Sequence, residues 1–327
     1  MGLARSGKWR ARIGEKGAAL VGGAEAQAGE GGLPGGAGLP GGGSLPGGGG
    51  LPGGGGLPAA GTSPDAGGAA PAFDVSVAHQ ARIYDYWLGG QDNYAADREA
   101  AELAIQAYPA VATGARANRQ FLARAVRHLA GQGIRQFLDL GTGIPSADNT
   151  HEVAQRVAPE SRVVYVDYDP VVLAHARALL ASGTPGQVDY LDADLRDTGP
   201  ILERAAATLD FSRPAGIMLM AILHAIDDAD PAQIVRRLAD AVPAGSYVTL
   251  SHPASDIDPE QIAAATARLN ERSRQHFTLR TNAEVAGLFG GLEILEPGVV
   301  RVENWRPDPG AGQRWESAMW GGVALKR

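Results

Sequence analysis

Apolar and polar residues alternate with two different periods along this chain from Phe73 onward. The stretches "DREAAELAIQAY" and "ANRQFLARAVRHLAG" repeat apolar residues every three or four positions, which is typical of amphipathic helices. Shorter apolar runs such as "IRQFLDLG" and "GIMLMAIL" are typical of buried strands. Together the two patterns predict a globular region in which helices pack on a sheet.

Strands and helices follow one another through the second half of the chain. The predicted strands are "IRQFLDLG", "RVVYVDYD", "QVDYLDADL", "GIMLMAIL" and "GSYVTLSHP", and the predicted helices are "THEVAQRVA", "PVVLAHARALLA", "PAQIVRRLADAV" and "TNAEVAGLF". This succession predicts a parallel sheet with helices on both faces. The late segments "LEILEPGVV" and "GGVALKR" can add an antiparallel edge. The expected fold class is α/β, a Rossmann-like doubly wound and mostly parallel seven-stranded sheet with an antiparallel C-terminal edge and an N-terminal helical lid.

Three of the predicted helices carry sequence signals for their first turn. Asn149 precedes "THEVAQRVA" and Glu152 stands three residues later, which is the spacing of a capping box. The late helix begins with the same kind of Thr-x-x-Glu signal. Pro170 opens "PVVLAHARALLA", and proline is favoured in the first turn of a helix.

The first 72 residues have a different composition. Leu-Pro pairs recur every six residues, at Leu33, Leu39, Leu45, Leu51 and Leu57. A six-residue period can indicate a β-helix, but one leucine in six among glycines cannot bury enough surface to offset the chain entropy. A proline-docking ligand is the alternative, although the repeat is not PxxP with basic flanks. We predict a disordered Gly/Pro-rich tail over residues 1–72.

The remaining chain is long enough for one domain. We assign residues 73–327 to it, with a helical cap over 73–133 and a Rossmann-like core over 134–327.

Composition narrows the function classes. The 327 residues carry a net charge of −7 and include no cysteine, which excludes disulfides and thiolate chemistry. The seven histidines show no metal-ligand spacing, so we expect no metal site. A negative chain does not favour nucleic-acid binding, and no apolar run approaches the roughly 20 residues that a membrane helix needs. We expect no secretory signal and a cytoplasmic location.

Polar residues stand where the predicted parallel strands end. They are Asp139 with Gly141 and Gly143 after the first strand, Asp167 after the second, Asp194 after the third and His224 after the fourth. Open α/β sheets bind ligands at the carboxyl ends of their strands, near the point where the strand order reverses. This edge of the sheet is therefore the expected site.

The carboxylate of Asp139 helps to identify which cofactor can bind at the glycine turn "FLDLGTGIPSADN". A dinucleotide pyrophosphate is anionic and binds backbone N–H groups at a helix N-terminus. A carboxylate about 4 Å away would cost on the order of 4 kcal/mol at an effective dielectric near 20. S-adenosylmethionine has no phosphate and carries an ammonium and a sulfonium. The turn therefore predicts S-adenosylmethionine as the cofactor.

The other carboxylates suit the same cofactor. Asp167 is placed to accept hydrogen bonds from both ribose hydroxyls, and Asp194 to reach the adenine amine. Each has an alternative: Asp139 can serve only the loop amides, Asp167 can cap the following helix, and Asp194 competes with Asp192 and Asp197.

"FLDLGTG", "VVYVDYDP" and "VDYLDADLRD" resemble successive motifs of class I S-adenosylmethionine-dependent methyltransferases. "ARIYDYWLGGQDNYAADREAA", "NRQFLARAVRHL", "QFLDLGTGIPSADNTHEVAQ" and "LEILEPGVVRVENWRPD" resemble, more narrowly, one bacterial family of such enzymes without an assigned substrate, over about residues 81–322. The resemblance implies a cofactor site lined by Asp139, Gly141, Gly143, Asp167, Asp194 and Leu195. Pro145 departs from the family pattern, because it replaces the usual third glycine and leaves the contacts of residues 144–149 open.

The segment "RIYDYWLGGQDNY" is the least generic stretch of the cap. Tyr84, Trp87 and Leu88 share one helical face, and the two glycines that follow end the helix. In class I enzymes such segments often cover the cofactor, and an aromatic ring over a sulfonium would gain about 1–2 kcal/mol when desolvated. Plain packing of this face is the alternative.

These observations predict a methyltransferase that acts on a small-molecule acceptor by in-line transfer. A general base is optional, and His224 or Tyr84 are the candidates. His252, after the fifth strand, is a weaker one. Two rivals remain open: a nicotinamide-dependent oxidoreductase, and a protein that binds S-adenosylmethionine without catalysis. The sequence leaves the oligomeric state open.

Overall fold

The computed structural model describes residues 74–180, 187–226, 230–309 and 315–327. The predicted tail over residues 1–72 lies outside them.

Nine helices occur in these described ranges. They are α1 (Gln80–Leu88), α2 (Ala95–Ala107), α3 (Ala110–Gly131), α4 (Thr150–Val157), α5 (Pro170–Leu180), α6 (Thr198–Ala205), α7 (Pro231–Asp240), α8 (Pro259–Arg272) and α9 (Asn282–Gly287).

The strands form one mixed sheet. They are β1 (Gln136–Leu140), β2 (Arg162–Asp167), β3 (Val188–Asp192), β4 (Gly216–Met220), β5 (Tyr247–Pro253), β6 (Glu293–Ile294), β7 (Val300–Arg301) and β8 (Met319–Leu325). Two short 3-10 turns, Leu223–Ala225 and Val302–Asn304, complete the secondary structure of the described residues.

The sheet has the strand order β3-β2-β1-β4-β5-β8-β6. The short strand β7 also pairs with β8. The first five strands are parallel, and β8 runs antiparallel to β5, β6 and β7. The predicted fold class is confirmed. Within the described residues the sheet has eight strands instead of the predicted seven, because "LEILEPGVV" folds as two separate two-residue strands. The strand order reverses between β1 and β4.

The central strands are buried between two layers of helices. All five residues of β1 and of β4 are buried, as expected for a parallel sheet covered on both faces. Leu138 and Leu140 pack in the cluster with α6 and α7, whereas Phe137 packs in the cluster with α3 and α4. Since neighbouring side chains of a strand point to opposite faces, Asp139 shares the α3–α4 face with Phe137.

The predicted helix starts are confirmed. Capping boxes begin α4 at Asn149 and α9 at Thr281, and Pro170 is the first residue of α5. Two helices, α6 and α8, are absent from the predicted elements. Both are rich in alanine or polar residues, and their apolar stripes are short.

A fully buried carboxylate joins the first two helices of the cap. Asp97 accepts hydrogen bonds from the backbone N–H groups of His79 (2.9 Å) and Tyr94 (2.8 Å) and lies 3.2 Å from the Arg82 guanidinium. It therefore fixes the start of α1 against the start of α2.

A second carboxylate explains the pair of glycines after α1. Gly89 ends the helix in the left-handed region, and a side chain on Gly90 would place its Cβ 2.0 Å from Asp85 Oδ1. Asp85 Oδ2 accepts from the Asp92 N–H (3.0 Å) and the Asn93 side-chain amide (2.8 Å). The "GGQDN" stretch thus folds around the Asp85 carboxylate.

Candidate active site

A cleft opens at the carboxyl ends of β1, β2 and β3, beside the point where the strand order reverses. It encloses about 880 Å³ of space, part of it open to solvent. We call this space the polar cleft. All the residues predicted to bind a cofactor line it: Asp139, Gly141, Gly143, Asp167, Asp194 and Leu195. The structure therefore brings all of them together.

The glycine turn forms one wall of the polar cleft. Gly141 (φ +70°) and Gly143 (φ +66°) both take the left-handed conformation that favours glycine. Gly141 N–H donates to Val166 O (2.8 Å), which ties the turn to β2. A Cβ on Gly143 would meet no atom within 4 Å. The backbone at Gly143 is thus bare toward the cleft, so a ligand can approach it closely.

Asp139 lies at the buried base of the polar cleft. Its side chain is 4% exposed, and Oδ2 accepts a hydrogen bond from the Thr150 hydroxyl (2.6 Å). Burial raises the pKa of this carboxyl from 3.8 to about 6, and the Thr150 hydrogen bond and the Arg119 charge oppose that rise. Among the described residues this carboxylate accepts from the Thr150 side chain and from no loop amide, so the role of satisfying loop amides is not observed.

Asp167 is already held by three backbone N–H groups. Gly143 donates to its Oδ2 (2.9 Å), and Tyr168 (2.8 Å) and Asp169 (3.0 Å) donate to its Oδ1. Burial raises the pKa of this carboxyl, and the backbone hydrogen bonds oppose the rise. A carboxylate offers about four acceptor positions, so one position remains for a ligand. Contact with both ribose hydroxyls requires the Gly143 hydrogen bond to open.

Asp169, two residues further, caps α5 by accepting from the Val171 N–H (2.7 Å). The capping role that was the alternative for Asp167 therefore falls to its neighbour. Asp169 Oδ2 also lies 2.6 Å from His79 Nδ1. This contact ties the start of α1 to the loop that carries Asp167.

Asp194 lies at the rim of the polar cleft. Its carboxylate accepts from the Arg196 backbone N–H (2.9 Å) and pairs with the Arg196 guanidinium (2.5 Å). The hydrogen bond from that side chain is the main reason why the pKa of Asp194 is lowered. Leu195 is buried beside it. Of the three neighbouring aspartates, only Asp194 lines the cleft, whereas Asp192 and Asp197 do not.

The cap supplies cleft residues that sequence reasoning missed. They are His79, Gln80, Asn118 and Arg119. Arg119 donates to the backbone oxygens of Ala147 (3.1 Å) and Asp148 (3.0 Å) and so holds the loop that follows Pro145. The signal for Asn118 is a polar residue within the apolar stripe of α3, where it is 2% exposed.

Three polar atoms of these cap residues are buried without a hydrogen bond to any described residue. They are His79 Nε2, Asn118 Oδ1 and Arg119 Nε. Because buried polar groups are normally hydrogen-bonded, these atoms leave hydrogen-bonding capacity beside the cleft that a water molecule or a polar ligand can fill.

An apolar pocket adjoins the polar cleft, and Gln80, Tyr84 and Ala221 line both. The pocket encloses about 740 Å³, again partly open to solvent. Its larger apolar side chains are Ile83, Trp87, Val111, Ile262, Leu269, Phe277, Leu279 and Met319. Among the described residues, no Asp, Glu, Lys or Arg lines it. The predicted lid helix therefore packs against both spaces.

Ala221 forms the boundary between the two spaces in a left-handed conformation (φ +49°). Such a conformation costs a non-glycine residue about 1–2 kcal/mol. Hydrogen bonds hold it, because Ala221 N–H donates to the Ser251 hydroxyl (3.0 Å) and Ala221 O accepts from the Gln80 amide (2.6 Å).

The two candidate bases have different surroundings. The Tyr84 hydroxyl donates to Ala115 O (2.9 Å) and accepts from the Asn118 amide (3.0 Å). Burial raises the pKa of Tyr84. His224 lines the apolar pocket from the 3-10 turn after β4, and its Nδ1 is buried without a hydrogen bond to the described residues.

A second histidine lies beside His224 at a ring-centroid distance of 5.9 Å. His252 lies within β5 and not after it, which corrects the sequence-based placement. Its Nδ1 donates to Pro253 O (2.8 Å), and its Nε2 accepts from the Arg280 guanidinium (2.5 Å). Burial lowers the pKa of His224 well below its usual range, and the His252 and Arg280 charges lower it further. His224 is therefore neutral near pH 7.

The chemistry of the polar cleft fits S-adenosylmethionine. Asp139, Asp167 and Asp194 suit a cation and hydroxyl or amine donors, and Arg119 suits the methionine carboxylate. A pyrophosphate at the glycine turn would instead meet the buried carboxylate of Asp139. None of the helices in the described part of the chain has the length and hydrophobicity needed to cross a bilayer.

Comparisons with known proteins agree with this chemistry. A family model described as "S-adenosyl methyltransferase" matches residues 66–327. The structure is similar to that of a DUF574 family protein from Streptomyces avermitilis, with 45% identity, a TM-score of 0.73, and coverage of 78% of this chain and 99% of that chain. It is also similar to a protein from Thermobifida fusca described as a candidate methyltransferase, with 40% identity, a TM-score of 0.73, and coverage of 79% and 98%. A comparison with curated proteins gave no match.

Proposed function

Because the chain belongs to the family of S-adenosyl methyltransferases and is an S-adenosylmethionine-dependent methyltransferase, we propose that it methylates a small-molecule acceptor bound in the apolar pocket. The observation that carries this proposal is the shared wall of the two spaces. Gln80, Tyr84 and Ala221 line both, so a molecule in the apolar pocket lies next to the cofactor cleft.

We assign the cofactor contacts from the surroundings of each side chain. Asp167 accepts from one ribose hydroxyl through its remaining acceptor position. Asp194 reaches the adenine amine at the rim, and Leu195 packs beside the ring. Arg119 pairs with the methionine carboxylate, and Asp139 balances the cationic part from the base of the polar cleft. Gly143 lets the cofactor approach the backbone, whereas the missing side chain of Gly141 makes room for Ile222, which also lines the cleft.

The cofactor supplies an activated methyl group on a sulfonium centre. The protein's part is to position the acceptor and to exclude water. His224 is our candidate for receiving the acceptor's proton, since it is neutral and its Nδ1 is free of hydrogen bonds to the described residues. Tyr84 suits this role less, because its hydroxyl already has a donor and an acceptor partner.

No observation favours nicotinamide chemistry, since the buried carboxylate of Asp139 lies beside the glycine turn at which a pyrophosphate would bind. Binding of the cofactor without catalysis is the remaining alternative.

Methyl transfer to a bacterial metabolite extract tests the proposal. The full chain is incubated with the extract and with S-adenosylmethionine whose methyl group carries a heavy isotope. Mass spectrometry should detect a small molecule that gains the labelled methyl group. The same reaction with the Asp167→Ala variant is the control and should give little product. Label found only in macromolecules, or nowhere, would contradict a small-molecule acceptor.

A further inference from the structure

The apolar pocket is unusual in its nearly complete lack of polar partners. Its described lining includes no charged side chain of the Asp, Glu, Lys or Arg type. Its Tyr108 hydroxyl donates to Asp258 (2.7 Å), and the Tyr84 hydroxyl is hydrogen-bonded within the cap. A charged ligand placed here would lose its hydration without compensation, which strongly disfavours its binding. The pocket therefore selects an uncharged, mostly apolar molecule.

Among the described residues of this wall, His224 carries a buried ring nitrogen without a hydrogen-bond partner. The residue is 9% exposed, its ring packs on Phe277 at a centroid distance of 5.3 Å, and its Nδ1 makes no hydrogen bond with the described residues. A buried polar atom without a partner is unfavourable, because its lost hydration is not replaced by a hydrogen bond. A ligand that brings one hydroxyl group to this ring would supply that hydrogen bond.

We propose that the apolar pocket binds a neutral phenol, with its aromatic body among Trp87, Leu269 and Phe277 and its hydroxyl hydrogen-bonded to the His224 ring. A phenol fits because its ring is flat and apolar, and because it is uncharged near pH 7 with a pKa of about 10. Carboxylic acids and aliphatic amines are charged at that pH, and an aliphatic alcohol is a much weaker acid.

This inference rests on the proposed function for its chemical step. The phenol oxygen forms a bond to the methyl carbon while the carbon–sulfur bond breaks, and its electron pair stays on sulfur. The phenol proton passes to the His224 imidazole. The products are a methyl aryl ether, a neutral thioether and an imidazolium, so charge and atoms balance. Burial keeps the pKa of His224 well below its usual range, so the ring starts neutral, and the imidazolium then passes its proton to water at the open side of the pocket.

Binding of small probes to the full chain tests the pocket without any need for turnover. Isothermal titration compares 2-naphthol with 2-naphthoate, which has the same rings and a negative charge. We expect 2-naphthol to bind at least 10-fold more tightly. Equal or tighter binding of 2-naphthoate would overturn the proposal.

A variant that fills the apolar pocket tests whether 2-naphthol binds there. Val111 lines the apolar pocket from α3 and is half-buried, so Val111→Trp fills the space. This variant should lose 2-naphthol binding at least 10-fold and keep its affinity for S-adenosylhomocysteine. Val157→Trp is the matched control, since Val157 lies on α4, is 43% exposed and lines neither space. Unchanged 2-naphthol affinity in the folded Val111→Trp variant would overturn the site.

The hydrogen bond to His224 is tested by comparing two proteins with two probes. This test does not depend on whether the Val111→Trp variant folds. His224→Phe keeps an aromatic ring against Phe277 and removes both nitrogens. It should weaken the binding of 2-naphthol about 10-fold. The affinity for 2-methoxynaphthalene, which has no hydroxyl hydrogen, should stay unchanged. Equal effects on both probes would overturn the contact. Because these titrations use no cofactor, failed methyl transfer to the metabolite extract would count against the proposed function alone.

Discussion

The polar cleft and the apolar pocket lie on the two sides of Ala221 but are assembled in different ways. The cleft is built at the ends of three consecutive parallel strands, with a glycine turn whose residues are close together in sequence. The pocket collects side chains from α1, α3, α8, β8 and the turn that carries His224, which are far apart in sequence. The first is therefore visible in short motifs, whereas the second depends on the tertiary fold. Variants on the two sides should separate cofactor affinity from turnover.

The largest expected effect is on turnover, and it results from a substitution in the apolar pocket. A general base contributes typically 10²–10⁴-fold to a rate, so His224→Phe should lower kcat by about 100-fold or more with the acceptor found in the metabolite experiment. The KM for S-adenosylmethionine should stay within about two-fold. Steady-state kinetics with both substrates varied measures the two quantities separately. A variant that keeps its full kcat would remove His224 from the chemistry.

Asp139→Asn should change stability in a pH-dependent way. The pKa of Asp139 rises from 3.8 to about 6 on folding, so its stabilising contribution is present below pH 3.8 and lost as the pH rises through 6. The two pKa values correspond to about 3 kcal/mol. The variant without cofactor should therefore gain up to about 3 kcal/mol over the wild type between pH 4 and pH 7, measured by urea unfolding.

The exposed Asp192 at the end of β3 offers the matched control for that experiment, and Asp192→Asn should show no such gain. The Asp139→Asn variant should also bind S-adenosylmethionine more weakly, because it lacks the negative charge. Tighter binding of NADH than of S-adenosylhomocysteine to the wild type would contradict the assignment of the polar cleft.

Asp167→Ala is the counterpart of the His224 variant on the polar side. It should weaken S-adenosylhomocysteine by about 1.5–3 kcal/mol, the scale of hydrogen bonds to a charged group, while 2-naphthol affinity stays the same. Isothermal titration with each ligand measures both. If a folded variant keeps its cofactor affinity, the carboxylate serves only the three backbone N–H groups around it.

Arg119→Gln sharpens the assignment within the polar cleft. Loss of the guanidinium should weaken the binding free energy of S-adenosylhomocysteine by about 1.5 kcal/mol, which is roughly a 10-fold weaker affinity. Methylthioadenosine lacks the amino-acid carboxylate and should bind the variant as well as it binds the wild type. Equal weakening of the two ligands would instead mean that Arg119 acts only through the loop at Ala147 and Asp148.

The smallest effect is expected from removal of residues 1–72. Their composition lacks a pattern that could form a core, so the thermal midpoint and the cofactor affinity should change little. A calorimetric scan of the shortened and full chains tests this, and a midpoint lower by many degrees would contradict the prediction.

Sequence reasoning succeeded where a local rule decides the structure. Buried apolar runs predicted the five parallel strands, and capping signals predicted the starts of α4 and α9. The aspartates at strand ends meet in one cleft because parallel strands bring their carboxyl ends to one edge.

The rest depends on contacts between distant segments. Nothing near Asp97 in sequence shows that it is fully buried at the start of α1. The amides that occupy Asp167 follow from the path of the loop, which the sequence does not show, and contact with both ribose hydroxyls stays a prediction. Arg119 is one of many helical arginines, and only the fold places it in the polar cleft.

The position of α1 restricts how acceptor preference can evolve. His79, Gln80 and Tyr84 belong to the polar cleft or to both spaces, whereas Ile83 and Trp87 line only the apolar pocket. Substitutions at the latter two positions can therefore create new specificity without loss of the methyl donor. Directed libraries for altered acceptors are best confined to Ile83 and Trp87, since a change at the other three positions alters donor binding at the same time.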